Sequence, residues 1–213
     1  VKSGDYTWKS SLENGVWTYH MEDVQTGLRT AIRNLGELPG AVSAMGISGM
    51  MHGYLAFDKD WNLLAPFRTW QNTMTGEAAE QLTAEFGFNI PQRWSIAHLY
   101  QAVLNGEAHV KNIAHITTLA GYVHYLLTGE NVLGVGEASG MFPIDSETLD
   151  YDAAMLEKFD ALLAKYGFVW TARSVLPKVL MAGQAAGKLT QAGRTFLEGL
   201  LPAGIPFCPP EGD

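Results

Sequence analysis

The chain has 213 residues, of which 47% are hydrophobic and 17% charged, and this is enough apolar material for the core of one large domain or two small ones. Fourteen Lys and Arg against 22 Asp and Glu give a net charge of −8, which makes nucleic acid and anionic membranes poor partners. No apolar run reaches the roughly 18–20 residues of a membrane span. The single cysteine, Cys208, excludes an internal disulfide and a cysteine-rich zinc site. We therefore expect a cytoplasmic protein that binds neither nucleic acid nor membrane.

The first third of the chain alternates between one helix and several short strands. Apolar residues at helical spacing predict a helix over His20–Leu35, and Gly36 and the pair Pro39-Gly40 then predict a loop. Short apolar runs predict three strands, of which the first is buried: Ala41–Ile47, Gly53–Phe57 and Leu63–Trp70. Pro66 indicates that the third strand is bent or lies near a sheet edge, because proline cannot donate to a ladder.

The remainder of the chain is predicted to be mostly helical. The predicted helices run from a cap at Thr75 to Gly87, from a cap at Ser95 to near Gly106, over Leu119–Leu127 with Gly129 at its end, from a cap at Asp152 through Leu163, and over Gln191–Leu200. Strands are predicted at Ile113–Thr117 and Gly204–Cys208. Alternation of short apolar strands with helices is typical of a layered α/β domain.

Common catalytic and phosphate-binding motifs are missing from the sequence. Gly46-Ile-Ser-Gly49 and Gly134-Val-Gly136 lack the spacing of phosphate-binding loops, so we interpret both as strand-end packing. The six histidines include no HExxH pair, and we expect His98 and His124 to be packed or partly exposed residues rather than ligands.

Three segments admit a functional interpretation beside a structural one. Ser48–Gly53 places His52 between two predicted strands, where it either binds a polar ligand or belongs to a tight turn. Trp70-Gln71-Asn72 offers an aromatic face beside two amides, which suits a sugar but also suits a core tryptophan followed by a turn. Glu211-Gly212-Asp213 places a carboxylate at the carboxyl end of a strand, or simply in an exposed loop.

Taken in chain order, these segments resemble the amino-terminal domain of the FGGY carbohydrate kinases, in particular the xylulokinase type. The matching segments are Gly46–Gly53, the stretch Leu63–Thr75, Leu127-Thr-Gly-Glu130, Glu137-Ala-Ser-Gly140, Asp145 with Tyr151-Asp152, Leu176-Pro177, Gly187–Thr190, Gly199-Leu200, and Gly204-Ile-Pro206 before Gly212-Asp213. Each segment alone is weak evidence, but the shared order extends over nearly the whole chain.

The resemblance implies a ribonuclease-H-like, actin-type ATPase fold, with a mixed sheet flanked by helices. It implies transfer of the γ-phosphoryl group of ATP, with Mg²⁺, to a hydroxyl of a small-molecule sugar or polyol. Asp213 matches the catalytic base, and the sugar-site positions fall on Met51, His52, Trp70, Gln71 and Asn72. Residues 1–213 would form the sugar-side domain without its first phosphate-loop strand and without the carboxyl-terminal ATP-binding domain. A homodimer is compatible with this assignment.

Several positions depart from the family pattern. The Trp-Asn-Asp-x-Arg segment reads Trp70-Gln71-Asn72-Thr73-Met74, which removes a carboxylate and a guanidinium. Gly121 replaces an expected Asp, and Glu137 replaces the Asp of Asp-Ala-Ser-Gly. The particular sugar is therefore left open, and the alternatives are a catalytically weak, kinase-like sugar-binding module and an unrelated α/β domain with a role in assembly.

Overall fold

The computed structural model describes residues 1–38 and 40–213, so Pro39 of the predicted loop lies outside the described residues. The helices are α1 (Met21–Asn34), α2 (Gly76–Phe86), α3 (Ser95–Leu104), α4 (Leu119–Thr128), α5 (Val135–Ala138), α6 (Ala153–Leu163), α7 (Ala172–Val175) and α8 (Gln191–Phe196). The strands are β1 (Ser11–Glu13), β2 (Val16–Thr18), β3 (Ser48–Gly49), β4 (Gly53–Phe57), β5 (Arg68–Thr69), β6 (His115–Thr117), β7 (Val132–Gly134), β8 (Lys178–Leu180) and β9 (Glu211–Gly212). Short 3-10 helices cover Ala108–Asn112 and Ala164–Tyr166.

The described strands form small sheets, of which two are antiparallel and two are parallel. β1 and β2 form a hairpin, and β4 lies between β5 and β6 with antiparallel register on both sides. β7 pairs with β8, and β3 pairs with β9, both in parallel. Because parallel neighbours require a crossover through other elements, these two pairs join segments that are distant in the sequence.

The β3–β9 pair is the centre of a longer parallel contact between residues 45–49 and 206–213. Met45 bridges Phe207, and the backbone N–H of Glu211 donates to the carbonyl of Ile47 at 3.0 Å. On the other side of the 206–213 segment, the N–H of Gly134 donates to the carbonyl of Pro210 at 2.8 Å. The segment that contains β9 therefore lies between β3 and β7.

The largest core cluster is built from α2, α3 and α6 with the aromatic residues between them. Phe159 packs edge-on against Tyr100, with ring centroids 5.9 Å apart, and Phe142 packs edge-on against Phe159 at 6.4 Å. A second cluster contains Phe57 and Tyr122, whose rings stack at 5.2 Å. Burial of aromatic rings in such pairs stabilises the layers that carry the strands.

Most of the predicted elements are confirmed, with shifts at their ends. The helix predicted from residue 20 is α1, the strand Gly53–Phe57 is β4, and the helix ending at Gly129 is α4, with that glycine in the left-handed conformation at φ 76°. Asp152 caps α6 as predicted, because its carboxylate accepts the N–H of Met155 at 2.9 Å. His98 and His124 are fully buried, as the packed interpretation requires.

Other predictions about elements were wrong. Ala41–Ile47 is not a buried strand: it makes one bridge at Met45 and is largely exposed. The strand predicted over Leu63–Trp70 is reduced to β5 and a bridge at Leu63, because Pro66 interrupts it. Three further elements are shorter than predicted: Ile113–Thr117 is reduced to β6, Gln191–Leu200 to α8, and Gly204–Cys208 to bridges at Pro206 and Phe207.

The predicted capping roles of Thr75 and Ser95 were also wrong. Thr75 precedes α2, but its hydroxyl donates to the carbonyl of Gln92 at 2.6 Å. Ser95 is the first residue of α3, and its hydroxyl donates to the carbonyl of Gly53 at 2.6 Å. Both hydroxyls donate to a backbone carbonyl that is distant in the sequence. The neighbouring residues do not distinguish such a hydrogen bond from a helix cap.

Candidate active site

Three motif segments converge at the end of β9, and glycines make the convergence possible. A Cβ on Gly212 would lie 2.8 Å from the Sδ of Met51 and 3.2 Å from the Oε2 of Glu137. A Cβ on Gly140 would lie 2.8 Å from the carbonyl oxygen of Met51 and 2.9 Å from the Nδ1 of His52. A backbone oxygen blocks a side chain at Gly140, so this position requires glycine, and a Cβ at Gly212 would force the Met51 side chain to move. The turn after β3, helix α5 with its last turn, and strand β9 thus form one site.

His52 lies half-buried in the turn between β3 and β4. The N–H of Gly53 donates to the carbonyl of Arg93 at 3.1 Å, and this bond holds the turn against the start of α3. Burial lowers the pKa of His52, the Arg93 cation lowers it further, and the Asp213 carboxylate acts in the opposite direction. The imidazole is therefore neutral at physiological pH, and in that state one nitrogen donates and the other accepts a hydrogen bond.

Three carboxyl groups surround the end of β9 in different environments. Asp213 is exposed, and its N–H donates to the carbonyl of Gly49 at 3.1 Å. Glu211 packs its carboxylate over Gly134, where a Cβ would lie 2.0 Å from Oε1, and accepts the N–H of Glu137 at 3.2 Å. Glu137 is fully buried.

The pKa of Glu137 is raised from its ordinary value of 4.5 to about 7, mainly by burial and also by the charges of Glu211 and Asp213, although the Thr118 hydroxyl opposes the shift. The buried carboxyl therefore keeps its proton to a much higher pH than an exposed carboxyl does.

A cavity of about 650 Å³ borders Asp213 between α1, α4 and the 46–50 segment. Its polar lining includes Asp5, Ser48 and Asp213, and most of its wall is apolar. Met51 and His52 are not among the described residues that line it. Asp213 lines this cavity, and its carboxylate is also close enough to His52 to raise the pKa of the imidazole.

The β4–β5 ladder relates His52 to Trp70. Gly53 pairs with Thr69, so the residues one step beyond, His52 and Trp70, lie at the same end of these two strands. The side chain of Trp70 is 53% exposed, whereas Gln71 is partly buried. An exposed aromatic ring at the site is available to cover the apolar face of a ligand.

Asn72 is buried and uses its amide within the fold. Its side-chain oxygen accepts the N–H of Trp17 at 2.8 Å, and its nitrogen donates to the carbonyls of Trp17 at 2.8 Å and Thr69 at 2.9 Å. These bonds fix the β1–β2 hairpin to the turn after β5. A structural role accounts for Asn72, and its role in binding substrate stays a prediction.

The positions that depart from the family pattern have structural explanations in two cases. At Gly121 a Cβ would lie 2.2 Å from the Oγ1 of Thr117, so no side chain fits there without a shift in the β6–α4 turn. Glu137 occupies the space beside Gly212. Sequence reasoning noted Glu137 as a substitution but did not place it, Glu211 or Arg93 at the site, because burial and a contact between distant segments are not visible in a linear pattern.

Within residues 1–38 and 40–213, no group of three or more His, Cys, Asp or Glu side chains is arranged to hold a metal ion. Glu211 accepts the backbone N–H of Glu137, and the Glu137 carboxyl is fully buried, so the carboxyl cluster does not fit a Mg²⁺ site. In the described part of the chain, no helix has both the length and the apolar character needed to cross a membrane.

Comparison with solved structures shows which known proteins share this fold. The ligand-bound xylulose kinase from Lactobacillus acidophilus matches 98% of this chain and 42% of its own, with a TM-score of 0.80 and 16% identity. The glycerol kinase from Plasmodium falciparum with ADP matches 98% of this chain and 43% of its own, with a TM-score of 0.74 and 16% identity. These likenesses confirm the expected α/β, actin-type ATPase fold.

Sequence comparison then gives the family. The model of the FGGY family of carbohydrate kinases, N-terminal domain, matches residues 13–213, and the chain belongs to this family. The glycerol kinase of Thermococcus kodakarensis is 26% identical over 99% of this chain and 42% of its own length. The chain thus spans less than half the length of the relatives it matches.

We expect Asn72→Ala to lower the free energy of unfolding by about 2–3 kcal/mol, because three hydrogen bonds are lost and backbone groups of Trp17 are left unpaired. Urea denaturation of this chain measures the change. Gln71→Ala is the matched control, since the Gln71 side chain makes no hydrogen bond to the described residues, and it should change stability by less than about 0.5 kcal/mol. Unchanged stability of Asn72→Ala would remove the structural explanation and favour a role in binding.

Proposed function

We propose that this chain is the sugar-side domain of an ATP-dependent carbohydrate kinase, which transfers the γ-phosphoryl group of ATP to a hydroxyl of a small sugar or polyol. The observation that carries the proposal is the position of Asp213 at the end of β9, beside the Met51–His52 turn. The family assignment supports the same reaction class. The composition favours a cytoplasmic location.

Asp213 is the proposed general base. Its backbone is held by the N–H bond to Gly49, while its side chain is exposed and free to meet a ligand. A carboxylate within hydrogen-bond reach of the acceptor hydroxyl accepts its proton as the new phosphorus–oxygen bond forms. Because phosphoryl transfer depends mainly on positioning and electrostatics, a rigidly held base is what the domain must supply.

Recognition of the acceptor is assigned to Met51, His52 and Trp70. Neutral His52 can donate to one hydroxyl or accept from it, and the exposed ring of Trp70 can cover the C–H face of the ligand. Met51 is held against Gly140 and Gly212 and closes the apolar side of the turn. Gln71 and Asn72 are assigned to the same end of the site. Asn72 contributes indirectly, because its hydrogen bonds to Trp17 and Thr69 fix the turn after β5.

ATP and Mg²⁺ are assigned to the complete protein. A structural neighbour contains ADP, and this chain covers 43% of it. When bound, Mg²⁺ neutralises phosphate charge during transfer. The residues around Asp213 do not provide a metal site, and negative carboxylates disfavour an unneutralised triphosphate. We therefore expect the adenosine site in a second domain, which the relatives are long enough to contain.

We expect Asp213→Asn, in the complete protein that carries this domain, to lower kcat about 10²–10⁴-fold, because the amide keeps the shape but cannot accept the proton. The KM for sugar and for ATP should change far less. Steady-state kinetics with a panel of polyols and sugars measures both constants.

Asp5→Asn is the matched control for this experiment, since Asp5 is an exposed aspartate bordering the same cavity. Its kcat should equal that of the parent. An Asp213→Asn protein that keeps most of its turnover would overturn the assignment of the base, and carbohydrate binding without turnover in the parent would favour the kinase-like binding module.

We expect His52→Ala to raise the KM for the sugar roughly 2- to 13-fold, the equivalent of one lost neutral hydrogen bond, while the KM for ATP stays constant. His20→Ala serves as the control because His20 is exposed and pairs with Glu13 at the β1–β2 hairpin. An equal effect on both substrates would indicate that His52 has a purely structural role.

A further inference from the structure

Glu137 is a buried carboxyl group that the proposed mechanism does not use. Its side chain is fully buried, and neither carboxyl oxygen has a hydrogen-bond partner of normal geometry among the described residues. Its Oε2 lies 3.2 Å from the point where a Cβ on Gly212 would be. A buried carboxyl without partners requires an explanation, because leaving such a group unpaired is costly.

The three carboxyl groups near β9 cannot all be ionised without strong repulsion. Asp213 is exposed, whereas Glu211 is partly buried and accepts the N–H of Glu137. Glu137 is shielded from solvent, and neither carboxyl oxygen has a hydrogen bond of normal geometry among the described residues, although the Thr118 hydroxyl partly stabilises the charged form. When carboxyl groups share a site, the proton stays on the group that is least solvated, so Glu137 carries it.

We propose that Glu137 is a positioning residue for Asp213: its carboxyl group, fully buried and without a hydrogen-bond partner of normal geometry, packs against Gly212 and allows β9 to stay paired with β3, which holds Asp213 at the acceptor site. The consequence for catalysis rests on the proposed function of Asp213. The protonation state of Glu137 itself does not depend on the proposed function of Asp213.

The charged and titratable groups around Glu137 come from each element that packs against α5. β9 contributes Glu211 and Asp213, β7 contributes none, and β8 contributes Lys178, which is exposed and pairs in register with Val132 at the far end of the β7–β8 ladder. Beyond these strands, the buried phenol of Tyr151 lies within electrostatic range. His52, on the turn after β3, is held neutral by burial and the Arg93 cation.

The raised pKa of Glu137 predicts that stability falls as pH rises. Below pH 4.5 both the folded and the unfolded chain hold this proton. Between pH 4.5 and about 7 the unfolded chain releases it while the folded chain keeps it, so the unfolded state binds fewer protons and becomes favoured. The loss is complete above about pH 7 and corresponds to an increase on the order of a hundredfold in the unfolding equilibrium constant.

The first experiment compares this chain with its Glu137→Gln variant by urea denaturation from pH 4.5 to pH 8. Glutamine imitates the protonated carboxyl, so the variant should match the parent at pH 4.5 and exceed its stability at pH 8, while other titrating groups cancel in the comparison. Glu80→Gln, at an exposed position of α2, is the control, and its free energy of unfolding should change with pH in the same way as that of the parent. A constant difference between Glu137→Gln and the parent across this pH range would overturn the proposal.

A second measurement does not depend on how well the variant folds. Carbon-13 NMR of the unmodified chain should show the Glu137 carboxyl ionising near pH 7, and Glu211→Gln should move that midpoint to lower pH because a neighbouring charge is gone. A midpoint near 4.5 in the unmodified chain would overturn the proposal.

The third experiment tests positioning in the complete protein through the pH profile of kcat. We expect kcat of the parent to fall above about pH 7, and Glu137→Gln to abolish this fall while retaining the activity at lower pH. Identical profiles, with Asp213→Asn still inactive, would overturn positioning by Glu137 but leave the proposed base intact. An active Asp213→Asn protein would overturn the proposed function, while the titration of Glu137 would stand.

Discussion

The close packing of the Met51 and Glu137 side chains against Gly212 is the constraint on which the rest of the site depends. β9 pairs with β3 in parallel, and Gly212 fits between Met51 and Glu137 with no room for a Cβ. This contact joins residues separated by more than half of the chain, and it aligns the end of β9 with the turn that carries His52. Helix α4 packs against β3 and helix α5 packs against β9, and together they hold these two strands in that relation.

Burial then assigns different states to side chains of the same type. Asp213, Glu211 and Glu137 are all carboxyl groups, but only the first extends into solvent at the end of a strand. Glu137 is enclosed by α5 and β9 and retains its proton to about pH 7. The same principle makes His52 neutral, since the loss of hydration disfavours its cation. A carboxylate from Asp213 and a neutral imidazole from His52, at neighbouring positions, suit recognition of a hydroxyl group.

Local features of the fold could be predicted from the sequence, and those features that depend on distant contacts could not. The periodicity before Gly36, the glycine after α4 and the aspartate before α6 are local signals, and the structure confirms them. The composition of Ala41–Ile47 is that of a buried strand. In the structure, however, Gly46 and Ile47 line a cavity and the segment is largely exposed. Asn72 resembles a ligand-binding amide, but the partner that occupies it is a hairpin 55 residues earlier in the chain. Within the site, Asp213, Met51 and His52 could be placed through the resemblance to a family, whereas the proximity of Glu137 required coordinates.

The central claim is that the end of β9 delivers the Asp213 carboxylate to an acceptor hydroxyl held by the Met51–His52 turn. A crystal structure of the complete protein with a bound sugar or polyol tests it most directly. The account predicts one hydroxyl within about 2.6–3.2 Å of an Asp213 carboxylate oxygen and a second in contact with the imidazole of His52. A carbohydrate bound with Asp213 pointing away from every hydroxyl, and with no contact to His52, would contradict it.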